Sequence, residues 1–288
     1  MGEFKLNRTG LKILLNLFAC VFALVVATPN LWADTITLYD GAGLPANQSW
    51  LAYTSIGGAA TQSSVAGGVR LQTDLQSQSG YSNYTILSTL KNAAFPTLNR
   101  SVGFELSFSL AIASESHSNN DRAGFSTILL GSDRRGIELG FWNNEIWAQS
   151  SSPLFQHAEG VAVNTSVVRN YRLQILNDVY TLMDGNNLLL SGAVRDYTAF
   201  NGAPGGVPYS LANYAFLGDD TTSGAADITL GMVTLQSNLS AVPEPASLSL
   251  LLAAVFVMLL LWQYKNFQAY CRLCIRPLPM MTASIQQR

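Results

Sequence analysis

Between residues 102 and 112, Val102, Phe104, Leu106, Phe108, Leu110 and Ile112 alternate with Gly103, Glu105, Ser107, Ser109 and Ala111. A period of two puts every apolar side chain on one face of an extended chain, so this stretch reads as a half-buried strand and not as a helix. The same period recurs over 36–39, 69–75, 125–130, 137–142, 146–149, 171–176, 180–183, 188–190, 214–217 and 228–235. Turn-forming residues separate these runs, among them Asn143-Asn144, Asn177-Asp178 and Asp184-Gly185-Asn186-Asn187. No internal repeat marks a propeller or solenoid, and no strand–helix–strand rhythm marks a parallel sheet. The expectation is an all-β, two-sheet antiparallel sandwich.

Composition narrows the function classes. Only 12% of the 288 residues are charged and 48% are hydrophobic, so a disordered polyelectrolyte is excluded. The net charge of −2 likewise excludes a nucleic-acid binder that works through bulk positive charge. That value is a cancellation. Residues 1–33 carry +2, residues 34–241 carry −7 with Lys91 as their only lysine, and residues 265–288 carry four arginines and lysines with no acid.

Both ends read as membrane-directed. Lys5, Arg8 and Lys12 precede an apolar run from Leu11 to Ala27, and Leu31-Trp32-Ala33 supplies a small-residue cleavage point, with Ala27 as the competing one. This is the pattern of an export signal over 1–33. Cys20 with Phe18 before it suits a lipid-attachment box poorly. Residues 246–264 are nineteen positions without a charge. As a helix they would measure about 28 Å, close to the hydrocarbon thickness of a bilayer. The basic tail 265–288 then belongs in the cytoplasm and the acidic body outside. All three cysteines, Cys20, Cys271 and Cys274, lie outside that body, which therefore has no disulfide to rely on. A lone Cys271-Arg272-Leu273-Cys274 is a weak metal signal.

Val242, Pro243, Glu244 and Pro245 stand just before the apolar segment. Two prolines around an acid keep the chain extended and out of a helix interior. Pro-Glu-Pro, apolar helix and basic residues, in that order, resemble the PEP-CTERM sorting signal of Gram-negative bacteria. The resemblance implies an exosortase-like membrane enzyme as processing partner. The chain departs from the family in spreading its basic residues over a 24-residue tail, which leaves an ordinary single-span anchor as the alternative. The expected organisation is an export signal over 1–33, a sandwich over 34–236, a linker with the sorting motif over 237–245, a transmembrane helix over 246–264 and a cytoplasmic tail.

The body in turn resembles the concanavalin A-like lectin/glucanase jelly rolls, including laminin G-like domains. The residues that carry this are Tyr171-Arg172-Leu173-Gln174-Ile175, Tyr180-Thr181-Leu182-Met183-Asp184-Gly185, Phe216-Leu217-Gly218-Asp219-Asp220 and the closing run 228–235. The resemblance implies a jelly-roll topology and a role with carbohydrate.

The segment 136–149 carries the candidate site. A two-residue Asn143-Asn144 turn suits a type I′ hairpin, which sets Phe141 opposite Ile146, Gly140 opposite Trp147, Leu139 opposite Ala148 and Glu138 opposite Gln149. Ile137, Leu139, Phe141, Ile146 and Ala148 then face the core. Glu138, Trp142, Glu145, Trp147 and Gln149 share the other face, with Gly140 leaving room for an indole. Exposed indoles beside carboxylate and amide groups suit a sugar, which has apolar C–H faces and a rim of hydroxyls. The competing reading is that residues 150–160 cover these rings and make a second small core.

Catalysis is disfavoured. Glucanases of the resembled superfamily place acids at alternating positions of one strand, whereas here Gly140 and Trp142 follow Glu138. Glu145, with His157 or Glu159 nearby, is the one remaining partner. His117 and His157 stand in polar contexts and read as surface residues, and Arg122, Arg134 and Arg135 beside Asp121 and Asp133 read as ion pairs that pin strand ends. Asp219 and Asp220, followed by Thr221-Thr222, offer the clustered oxygens that calcium takes, although a solvated turn explains them as well.

The expected function is an exported, surface- or matrix-associated protein that binds polysaccharide without cleaving it. A glycoside hydrolase on the same fold and a purely structural matrix protein are the alternatives.

Overall fold

The computed structural model describes residues 34–200 and 208–239, and of the remainder only Met258. The expected export signal, the sorting motif Val242, Pro243, Glu244 and Pro245, the apolar segment 246–264 and the basic tail lie outside the described residues, Met258 apart. Among the described residues no helix is long and apolar enough to cross a membrane.

The body is all-β, in two antiparallel sheets. The first runs β13 (Asn187–Ala193), β12 (Val179–Asp184), β11 (Arg169–Leu176), β6 (Phe104–His117), β16 (Gly224–Ser237), β4 (Gly68–Gln72) and β3 (Thr61–Val65). A further strand, β1 (Asp34–Tyr39), pairs with the last part of β16, beyond the stretch that β4 occupies. The second sheet runs β10 (Leu154–Ala162), β9 (Glu145–Ser151), β8 (Arg135–Phe141), β7 (Ser126–Leu130), β15 (Tyr214–Asp219), β5 (Ser79–Ser82) and β2 (Leu51–Thr54), with β14 (Arg195–Asp196) against the start of β8.

Period two shapes the core directly. Phe104, Leu106, Phe108, Leu110 and Ile112 of β6 are all buried, and they meet Ile137, Leu139, Phe141, Ile146 and Ala148 of the facing sheet. Phe108, Phe141 and Tyr171 form a ring cluster between the sheets, with centroids 5.5–6.1 Å apart. The strands that the alternation does not reveal are β2, β3, β5, β10 and β14. Three of these, β2, β3 and β10, close the ends of sheets, where one flank has no partner. Thr-Gln-Ser-Ser-Val in β3 is almost wholly exposed, as suits an edge that must not recruit another chain.

The two ends of the sandwich differ. At one end the Asn213 side chain accepts the Leu98 N–H (2.7 Å), and its carbonyl accepts from Asn83 (2.8 Å). There too Ser132 N–H reaches Leu98 O (2.8 Å), and Arg100 pairs with Asp133 and Asp178. Leu239, the last described residue of the body, joins this end through Gly103 O at 3.2 Å. The far end holds the finish of β6 and of β8.

Burial predicts the cost of core truncation. Leu106→Ala, at a fully buried position, is expected to lower unfolding free energy by about 2–5 kcal/mol. Val168→Ala, at a position 68% exposed, should stay within about 0.5 kcal/mol. Paired urea titrations distinguish the two; equal effects would contradict the assigned inward face of β6.

Candidate functional site

The hairpin β8–β9 has the register its sequence dictates: Leu139 pairs with Ala148, Gly140 with Trp147 and Phe141 with Ile146. Its turn is not type I′, because neither Asn143 nor Asn144 takes a positive φ. The turn carbonyls are instead satisfied from outside the hairpin: Val163 N–H donates to Asn144 O (2.9 Å) and Thr165 N–H to Asn143 O (3.1 Å). A loop that is itself captured does not need the geometry of an isolated hairpin.

Glycine 140 provides the space expected of it. A Cβ there would come within 2.8 Å of the Trp147 ring, so the indole lies flat over the strand. The expectation that Trp147 is open to a ligand does not hold. Trp147 is 0% exposed, Glu138 1% and Gln149 3%. The cause is β10, which pairs along β9 and lays the His157 ring over Trp147, centroids 4.3 Å apart and nearly parallel. For Trp147 the competing reading, cover by residues 150–160, is what the structure builds.

Trp142 and Glu145 stay half-exposed. Trp142 anchors its Nε1–H on Arg122 O (2.8 Å), lies stacked on His117 (4.2 Å) and meets Trp147 at 5.6 Å and His157 at 5.1 Å. Each imidazole is held by a carboxylate: His117 Nδ1 by Glu115 (3.0 Å) and His157 Nε2 by Glu145 (3.0 Å). The Asn120 carbonyl faces His157 Nδ1 at 3.1 Å, and the Asp121 carboxylate accepts the His157 backbone N–H at 2.8 Å. The two histidines are thus not loose surface residues. They come from β6 and β10, elements far apart in sequence, and close a four-ring cluster that neither periodicity nor motif reveals.

Arg122 does not pin Asp121 by an ion pair. Its guanidinium donates to the carbonyls of Asp121 (2.6 Å) and Phe155 (2.7 Å) and lies over the Phe155 ring. Asp133 is taken by Arg100, and Arg135 reaches Asp178 at 3.5 Å.

Further along the same face, Glu138 is sealed beneath Tyr197, Tyr209, Phe155 and Phe200, which pack ring on ring. Tyr209 donates its hydroxyl to Glu138, and the Tyr197 hydroxyl accepts the Glu138 backbone N–H (3.2 Å). Burial pushes the Glu138 carboxyl well above the usual carboxylate range, and the neighbouring Asp220 adds to the shift. Burial also raises Asp220 above the usual carboxylate range. Two polar atoms on this face have no partner: Trp147 Nε1 and Gln149 Oε1. Phe155 holds its place with φ at 56°, a costly value for an aromatic residue.

Glu138 accepts the Tyr209 hydroxyl, and the Asp220 carboxylate lies 3.4 Å from the same hydroxyl. Glu145 belongs to His157, and Glu159 is taken by Tyr180 (2.6 Å) and Arg195, so neither completes a pair with Glu138.

Asp219 and Asp220, the pair expected to offer oxygens to calcium, have separate partners. They are consecutive on an extended chain, so their side chains face opposite ways. Asp219 bonds Thr221 N–H (3.0 Å) on the core side, and Asp220 joins Glu138 on the outer side. Among the described residues no three acidic, histidine or cysteine side chains cluster.

No family model matches this chain, and no curated protein matches it. Among solved structures it is similar to a carbohydrate esterase of a Shiga toxin-encoding bacteriophage, phi24B, at 10% identity and TM-score 0.47, over 71% of this chain and 100% of that one. It is also similar to an alginate lyase of polysaccharide lyase family 7, at 11% identity and TM-score 0.39, over 71% and 95%. The exoplasmic/lumenal domain of VIP36 matches at 12% identity and TM-score 0.40, over 74% and 90%. Likenesses this distant carry no chemistry across to the present chain.

Two consequences of the buried groups are measurable. Burial pushes Asp219 up to about 9, so the folded protein holds this proton more tightly than the unfolded chain. The stabilisation is complete below the unfolded pKa of about 4 and is lost as pH rises through the folded value. Asp219→Asn should therefore flatten the fall in unfolding midpoint between pH 5 and pH 9, as read by urea titration; an unchanged slope contradicts the buried carboxyl. Trp147→Ala should cost about 3–5 kcal/mol of stability, as core tryptophans do, and calorimetry reads that loss.

Proposed function

We propose that the chain is an exported protein whose sandwich binds polysaccharide at the cell surface or in the extracellular matrix without cleaving it. The observation that carries this reading is the half-exposed cluster at the far end of the sandwich, where Trp142 and the two imidazoles stand beside Glu115 and Glu145. Flat rings offer apolar surface to the C–H faces of a sugar, and the partly exposed Glu145 carboxylate at the ring edge accepts from its hydroxyls. Trp142 is pre-oriented by its bond to Arg122 O, which keeps the entropic cost of binding low.

Glu138, the one acid of its strand, is 1% exposed, and a carboxyl shut away from solvent supports a non-catalytic role. The jelly-roll assignment, the export signal over 1–33, processing by an exosortase-like enzyme at Val242–Pro245 and anchoring by 246–264 are parts of the same proposal, and they rest on the sequence patterns and resemblances above.

The test is retention on a glycan array by the purified full chain in detergent micelles. Trp142→Ala should lose at least about tenfold in apparent affinity, equivalent to about 1.4 kcal/mol, with a thermal midpoint close to that of the parent. Retention unchanged in the variant refutes the assigned surface. No retention by the parent favours a structural matrix protein, and release of reducing sugar from the arrayed glycans favours a hydrolase.

A further inference from the structure

The end of the sandwich that carries Leu239 also carries an apolar tip. Residues 85–89 form a tight hairpin, with Thr85 N–H bonded to Thr89 O (2.8 Å) and Ser88 N–H to Thr85 O (2.9 Å). At its tip stand two adjacent large aliphatics, Ile86 at 72% and Leu87 at 81% exposure. The hairpin is fixed to the same end as Leu239 by a continuous run of bonds: Lys91 N–H to Asn83 O, Asn83 to Asn213, Asn213 to Leu98, and on through Arg100 and Gly103. Lys91, the only lysine of the body, and Arg134 are both exposed there, and among the described residues neither has an ion-pair partner. Other charges at this end are Arg100, Arg135, Asp133 and Asp178, which pair among themselves, and Asp196 near Arg134.

The chain beyond Leu239 sets what this tip can reach. Residues 240–245 are six positions before the uncharged stretch 246–264. Fully extended they span at most about 20 Å, a short tether. We infer that the Ile86–Leu87 tip, with Lys91 and Arg134 beside it, docks on the outer surface of a lipid bilayer, seating the sandwich end-on. This rests on the reading of 246–264 as a membrane helix. Aliphatic tips insert at the headgroup boundary, and basic side chains next to them meet anionic headgroups. Because β6 runs 14 residues from this end to His117, the docked body presents the Trp142–His117 cluster roughly 40 Å away from the lipid. The two surfaces then work in opposite directions, one toward the membrane and one toward the glycan.

The experiment uses the full chain reconstituted in vesicles of phosphatidylcholine and anionic phosphatidylglycerol, with Cys20, Cys271 and Cys274 replaced by serine. An environment-sensitive dye is placed at Ser88→Cys or, at the opposite end, at Asn144→Cys. Doxyl-labelled lipid should quench most of the emission at 88 and little at 144, and Ile86→Ser with Leu87→Ser should abolish the quenching at 88. Protein that survives an alkaline wash but shows no quenching at 88 overturns the docking while leaving the anchor intact. Protein removed by the wash overturns the anchor and the docking with it. A spectral shift at 88 that needs no lipid and grows with protein concentration assigns the tip to a second copy, and likewise overturns the proposal.

Discussion

The pairing of β6 with β16 is the interaction on which the rest of the sandwich depends. Both strands are fourteen residues long, and they run antiparallel from Phe104 opposite Ser237 to His117 opposite Gly224. β6 contributes an apolar face from Phe104 to Ile112 and β16 one from Ala226 to Leu235, and both sides of the pair are occupied: β11 lies along β6, and β4 and then β1 lie along β16. Two irregularities in the β6–β16 ladder let long strands twist without losing register. The same pairing fixes the two ends of the molecule, since His117 is carried to one end and Leu239 to the other.

The second sheet has a different problem, because it carries apolar or uncharged groups on both faces. Its inner face packs on β6. Its outer face carries Ile128, Leu130, Tyr214, Phe216, Glu138 and Trp147, and it is closed by Tyr197, Tyr209, Phe155 and β10 into a smaller core. Closing it has a price in buried polar groups: the Glu138–Asp220 pair, the unpartnered Trp147 Nε1 and the unpartnered Gln149 Oε1. What remains open is the margin, where Trp142, His117, His157 and Glu145 stand half-exposed. The surface proposed for a sugar is thus the rim of the cover and not the face beneath it.

Much of the fold was legible in the sequence, for a physical reason. A buried strand with one solvent-facing side must alternate, and β6, β11, β12 and β16 do; β8 and β9 alternate as well, although their outer face is covered. The hairpin register was legible as well, since a slip of one residue would have turned Leu139 and Phe141 out of the core. The edge strands β2, β3 and β10 were not. Leu154–Ala162 mixes half-buried and exposed residues without a period, so the strand that covers Trp147 left no signal of its own. One part of the site could have been read and was not: Asp219 and Asp220 are neighbours on an extended chain, so they had to face apart. The ring cluster could not have been read, because His117, Trp142 and His157 are brought together only by the sheet order and by stacking.

The central claim is that the margin around Trp142 is where a polysaccharide lies. Hydrogen–deuterium exchange of the full chain, with and without a retained oligosaccharide, tests it most directly. Slower exchange on binding in residues 115–122, 142–147 and 156–158, with no change in 83–91, is the predicted result. Protection confined to another edge of the sandwich, or to the segment 83–91, would contradict it.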